Sequence, residues 1–168
     1  LAQHVQLSFA ALGLALVIAL PLGIASARSR TVAGVTLGFA SLIQTIPALA
    51  LLALFFPLLL ALSAVFGDAI SPLGFLPSLL ALTLYALLPI LRNAVTGLRS
   101  VEPAMVEAAD GVGMTALQKL WLVEAPLASP TIMAGVRTAA VWTIGAATLS
   151  TTVGQPSLGD LIFAGLRT

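Results

Sequence analysis

Residues 5–27, 31–67 and 75–91 contain no charged side chain, and residues 128–152 contain only Arg137. A helix crosses a hydrocarbon core of about 30 Å with about 20 apolar residues. Each run therefore approaches or exceeds the length of one crossing. A soluble domain carries roughly 25% charged residues, whereas this chain carries 8% and has a mean hydropathy of +1.12. In lipid the backbone polar groups must be satisfied within the segment, so runs of this length are read as helices. The fold class expected is an all-α integral membrane protein in a lipid bilayer.

The same composition removes several functions. There is no cysteine and one histidine, His4. No thiolate site, metal centre or His-based triad is expected, and His4 is expected to be solvated or interfacial. The basic residues are scattered, which leaves no patch for nucleic acid. Catalytic residues and metal ligands are both expected to be none.

Taken in order, the first span covers 5–27, interrupted by Gly13 and Pro21. Arg28 and Arg30 then mark a cytoplasmic end by the positive-inside rule. The run is too long for a signal peptide and lacks a basic start, although Ala25-Ser26-Ala27 resembles a cleavage site. Residues 31–67 are too long for one straight span. The reading is an interfacial start at 31–34, then a helix over about 38–62 kinked near Pro47 or Pro57. Gly34 and Gly38 form a GxxxG best ascribed to chance. Asp68 and the turn Ser71-Pro72-Leu73-Gly74 form an outer loop.

The third span, 75–91, returns to Arg92 and Arg99. The fourth, 128–152, gathers Thr143, Thr148, Ser150, Thr151 and Thr152 toward its outer end. Those hydroxyls read equally as bonded to their own helix or as lining a polar path. Arg137 either snorkels to the interface or faces a solute. Candidate path residues are Arg137, Trp142, Thr143, Thr148 and Thr151. Ser157 with Asp160 reads as the cap of a short final helix. Five of the 7 basic residues, Arg28, Arg30, Arg92, Arg99 and Lys119, then share one face.

Between the third and fourth spans lies a polar stretch, 102–126. It holds Glu102, Glu107, Asp110, Glu124 and the single lysine, Lys119. Pro103 suits a first helical position, with Glu102 as N-cap. Gly111 and Gly113 break this helix. Thr115 with Gln118 predicts a capping box opening a second helix, which Pro126 should end. On these features alone the stretch reads equally as an amphipathic loop on the membrane surface.

Its residues carry a resemblance. Glu107-Ala108-Ala109, then Gly113, then Val123 and Pro126, resembles the EAA loop of permeases from binding-protein-dependent ABC importers. Val123 stands where isoleucine is usual, and Ala125 where leucine is usual. PLASPTIMAGVRTAAVWTIGAATLSTTVG, SLGDLIFAGL, LIQTIPALALLAL and LTLYALLPILRN resemble the osmoprotectant branch, which takes up glycine betaine, choline, carnitine or proline betaine.

The resemblance covers nearly the whole chain and implies a methionine-permease-like type I importer fold. It implies one transmembrane domain over 1–168, with the 102–126 loop inside it. Four core helices are visible of an expected five, the last being expected beyond Thr168. In that family the loop couples to a cytoplasmic ATPase, here through Glu107, Ala108, Ala109, Gly113, Val123 and Pro126. The implied function is ATP-driven uptake of a small compatible solute by a transport subunit of the bacterial inner membrane, not an enzyme. Its partners would be ABC ATPases, a second permease subunit and an extracytoplasmic solute-binding protein. The chain lacks a G-x-x-x-x-G-K-[ST] loop, so no cofactor is expected in it; ATP and Mg would bind the ATPase. An aromatic cage for quaternary ammonium would belong to the binding protein, with Trp121, Trp142 and Tyr85 expected in core packing. The alternatives are an importer for another small solute, an ion-coupled carrier, or a membrane scaffold.

Overall fold

The computed structural model describes residues 1–66 and 70–166, all in helices, turns and connections with no strand among them. The helices are α1 (Ala2–Arg28), α2 (Arg30–Thr45), α3 (Ala48–Phe66), α4 (Phe75–Arg99), α5 (Pro103–Gly111), α6 (Ala116–Lys119), α7 (Ala125–Ala146) and α8 (Gly159–Gly165). A π turn, Leu120–Glu124, joins α6 to α7, and a 3-10 segment, Ala147–Val153, extends α7. Four stretches are long and apolar enough to cross a membrane: Ala2–Arg28, Ala48–Phe66, Phe75–Arg99 and Ala116–Val153.

Helix α4 is the centre of the bundle. Over half of its spanning window is buried (56%), against a third of that of α1 (33%). Ala81, Leu82, Ala86, Leu87, Ile90, Leu91 and Ala94 face inward. Helix α1 meets it with a stripe of Leu7, Ala11, Ala15, Ala19 and Gly23. Their four-residue spacing puts them on one face, and small side chains let two helices approach closely within a membrane. Helix α7 packs closely on α4 at Gly135, where a Cβ would sit 2.6 Å from both the Pro89 carbonyl oxygen and Asn93 Cβ. Large apolar side chains such as Phe9, Val17, Phe39, Leu54 and Val65 point outward, as suits lipid or a partner subunit.

The expectation for 31–67 needs correction. The chain does not start there with an interfacial segment and one kinked helix. Ser29 caps α2 by accepting from the Val32 N–H (3.4 Å), and α2 runs to Thr45. Ile46 then turns to extended geometry (φ −82°, ψ 125°) before Pro47. The clash of a proline ring with the preceding residue disfavours α geometry at Ile46, so the run breaks into two helices. Pro21, Pro57, Pro89 and Pro130 stay inside their helices.

His4 is buried (2% exposed), contrary to the expectation of a solvated residue. His4 lies one turn before Leu7, which packs with Ala11 against Leu82 and Ala147. Trp121 and Trp142 are also not core residues; they are 63% and 52% exposed. Gly34 and Gly38 have open space around them. Asp68 lies outside the described residues.

Candidate functional site: the 102–126 loop and a polar cleft

The loop is built from local signals. Pro103 occupies the first turn of α5 with Glu102 at the N-cap, although the Glu102 side chain makes no cap bond. At the other end Gly113 takes φ +78°. Its N–H donates to the Asp110 carbonyl (3.0 Å), and the Met114 N–H donates to that of Ala109 (3.1 Å). This crossed pair is a Schellman motif, in which a left-handed glycine satisfies the last carbonyls of a helix. The break thus falls at Gly113, while Gly111 remains helical. Thr115 and Gln118 form the full capping box that starts α6. Lys119 Nζ reaches both Asp110 oxygens, at 2.6 and 2.8 Å, and ties α6 to α5.

The second leg differs from expectation, because Pro126 does not end it. The π turn carries the helix through: the Ala125 N–H donates to the Leu120 carbonyl, five residues back. One wide turn shifts the hydrogen-bond register immediately before Pro126, and the helix continues past the missing N–H. Helix continues from Ala116 into α7 without interruption.

Glu124, in that turn, is buried (3% exposed). Both of its oxygens are bonded by the Arg28 guanidinium, through Nη1 (2.9 Å) and Nη2. A forked guanidinium–carboxylate pair fixes direction as well as distance. It links the end of α1 to the root of the loop. Arg99 adds to the joint by donating to the carbonyls of Ser26 (2.7 Å) and Ala27 (3.3 Å).

Glu107 and Ala108 lie exposed on α5, while Ala109 is buried. Gly113 is exposed at the tip; Val123, half-buried, and Pro126, exposed, lie on the returning leg. Met105, Val112, Leu117, Trp121 and Leu122 surround them as exposed apolar side chains. The loop thus presents a carboxylate within an apolar surface.

A second polar feature lies within the spans. Gln44, Leu88, Pro89, Arg92, Asn93, Thr138 and Trp142 line a cleft of about 180 Å³. Its origin is Pro89, which cannot donate to the carbonyl of Tyr85. Gln44 Nε2 replaces that donor (3.1 Å). The Tyr85 hydroxyl in turn donates to the carbonyl of Ile46, at the α2–α3 break. Asn93 Nδ2 donates to the Pro89 carbonyl (2.8 Å).

The candidate path residues do not share one face. Arg137 is exposed and Trp142 borders the cleft. Thr143 is buried with its hydroxyl unpartnered. Thr148 donates to its own helix at Gly145 (2.7 Å), and Thr151 bonds Ser157 (2.6 Å). The final cap forms as a reciprocal pair: the Ser157 N–H donates to Asp160 (3.1 Å), and the Gly159 N–H to the Ser157 hydroxyl (3.0 Å). Sequence reasoning missed Arg28–Glu124, Gln44 and Asn93. Only Asn93, four residues after Pro89, had a local signal. Among the described residues no group of three or more His, Cys, Asp or Glu could hold a metal.

Residues 19–168 match the family model described as the binding-protein-dependent transport system inner membrane component. The chain is 43% identical over 165 residues to the glycine betaine/carnitine/choline transport system permease protein OpuCB of Bacillus subtilis (strain 168), covering 98% of this chain and 70% of that one. It is equally 43% identical, with the same coverage, to the choline transport system permease protein OpuBB of that organism. It is 42% identical to the osmoprotectant import permease protein OsmW of Salmonella typhimurium, covering 98% and 73%. The fold is similar to an inward-facing MetNI methionine ABC transporter, with TM-score 0.75 at 23% identity over 95% of this chain and 74% of that one.

Proposed function

The chain belongs to the family of binding-protein-dependent transport system inner membrane components, and we propose that its 102–126 loop couples a partner ATPase to solute uptake. It is a multi-pass permease subunit, a transport component rather than an enzyme, working with ATPase and solute-binding partners. Its task is osmoprotectant uptake, in keeping with relatives named for glycine betaine, carnitine and choline.

One observation carries the coupling assignment. The Schellman turn at Gly113 and the Arg28–Glu124 pair hold an exposed Glu107-Ala108 surface at a fixed attitude to α1 and α7. A lever needs both a docking surface and a stiff root. Glu107, Ala108, Ala109 and Gly113 form the docking leg, and Val123 and Pro126 the leg that returns force to α7. The loop lies in the cytoplasm of a bacterium, and its partner carries the ATP and Mg. Two permease subunits face each other across a path bordered by α7, with Arg137, Trp142, Thr143, Thr148 and Thr151 as candidate positions. The 1–168 stretch works as one transmembrane domain.

An ion-coupled carrier would place acids near the bilayer middle. Among the described residues the acids lie in the 102–126 stretch and at Asp160, beside the short α8. The test is uptake into proteoliposomes containing this permease, its ATPase and its binding protein. Accumulation of glycine betaine, carnitine or choline should require enclosed ATP. Uptake driven by a sodium or proton gradient without ATP contradicts the proposal.

A further inference from the structure

The cleft at Pro89 has a feature that coupling does not use. Arg92 lies seven residues before Arg99, roughly 10 Å deeper along α4 at 1.5 Å per residue. Arg99 already anchors the end of that helix through the Ser26 and Ala27 carbonyls. Arg92 is exposed to the cleft and makes no ion pair or hydrogen bond among the described residues. A charge at such a depth faces protein partners or a water-filled path, and marks a functional position.

The rest of the wall is uncharged. The Gln44 amide donates to Tyr85, the Asn93 amide to Pro89, and the Thr138 hydroxyl to Ala134 (3.0 Å). These bonds also pin the wall: Gln44 supplies the donor that Pro89 lacks at the Tyr85 carbonyl, and Asn93 ties its amide to its own helix. Among the lining side chains the Arg92 guanidinium is the one charge and the half-exposed indole of Trp142 the one aromatic. At about 180 Å³ the cleft is smaller than a drug-sized pocket of roughly 300–1,000 Å³.

From this pairing we infer that the cleft binds the solute in transit. Arg92 takes its carboxylate and Trp142 its quaternary ammonium, so the solute carried is a zwitterion. The inference rests on the osmoprotectant reading above and narrows it. A guanidinium fork matches a carboxylate in two parallel bonds. An indole face attracts a desolvated ammonium. A quaternary ammonium has no N–H to donate, which suits a wall that offers it an aromatic surface. Choline bears the ammonium but no carboxylate, so it meets Arg92 as an uncompensated like charge.

The experiment compares uptake of radiolabelled glycine betaine, carnitine and choline by the reconstituted complex with wild-type, Arg92→Gln, Arg92→Lys or Trp142→Leu permease. Assembly is checked by co-purification of the ATPase. Wild type should carry glycine betaine or carnitine. Arg92→Gln should lower that uptake tenfold or more. Arg92→Lys, which keeps the charge without the fork, should lower it severalfold, and this supplies the readout if Arg92→Gln does not assemble. Trp142→Leu should lower it as well. Wild-type uptake of carboxylated solutes in both Arg92 variants overturns the site. Uptake of choline with refusal of both zwitterions overturns it too, but leaves the osmoprotectant reading standing. Transport of none of the three removes both.

Discussion

Arg28, the last residue of α1, and Glu124, in the π turn, form a forked ion pair across a sequence separation of 96. The Glu124 side chain is 4% exposed and the Arg28 side chain 52%. Solvent therefore screens one partner and not the other. The asymmetry sets the energetics: losing Arg28 strands a buried charge, whereas losing both partners strands nothing.

The first prediction is a double-mutant cycle on that pair. Arg28→Ala should destabilise the permease by about 1–3 kcal/mol, the usual cost of an orphaned buried polar group. Arg28→Ala with Glu124→Leu should cost less than the sum of the two single changes. Thermal unfolding of the purified complex measures this. Strictly additive losses mean that the two side chains act independently.

A second prediction concerns Gly113. Its φ of +78° is costly for a side chain, roughly 1 kcal/mol for alanine and less for asparagine. Proline cannot adopt it and also deletes the N–H bonded to Asp110. Uptake should therefore fall in the order Gly113→Asn, Gly113→Ala, Gly113→Pro, the last losing most. Equal uptake in all three shows that the turn geometry does not matter.

These two positions also mark what the chain made readable. Gly113 and the Thr115–Gln118 box are local: every partner lies within a few residues, so spacing alone placed them. The first, third and fourth spans are readable from charge-free length, the second is not, and the pattern from Glu107 to Pro126 carries the family. The Arg28–Glu124 pair and the Gln44–Tyr85 splice depend on helices meeting in space, and no periodicity encodes them. Pro47 and Pro126 were misread for a different reason. A proline removes one donor wherever it falls. Whether the helix then breaks depends on its neighbours: Ile46 gives way to extended geometry before Pro47, whereas a π turn shifts the hydrogen-bond register just before Pro126 and the helix runs on.

The third prediction is topology. With the 102–126 loop in the cytoplasm, a single cysteine at Asp160 or Asp68 should react with an impermeant thiol reagent in intact cells. One at Asp110 should react only after the membrane is opened. The reverse pattern inverts the proposed orientation.

Arg137 supplies a fourth. It is exposed on α7 and makes no ion pair or hydrogen bond among the described residues. If it only snorkels, Arg137→Lys should retain uptake within about twofold, because lysine reaches the interface equally well. Abolished uptake in an assembled complex with this variant assigns Arg137 to the path instead.

The coupling role of the loop is tested most directly at Glu107, which is exposed and whose side chain makes no hydrogen bond or ion pair among the described residues. Its charge can be reversed without disturbing the turn at Gly113 or the root at Glu124. The measurement is ATP hydrolysis by the reconstituted complex, stimulated by solute-loaded binding protein, with wild-type and Glu107→Lys permease. A docked lever predicts that stimulation falls at least tenfold in the variant while the permease remains inserted in the membrane. Wild-type stimulation in Glu107→Lys contradicts the coupling assignment and makes the loop an ordinary solvated connection.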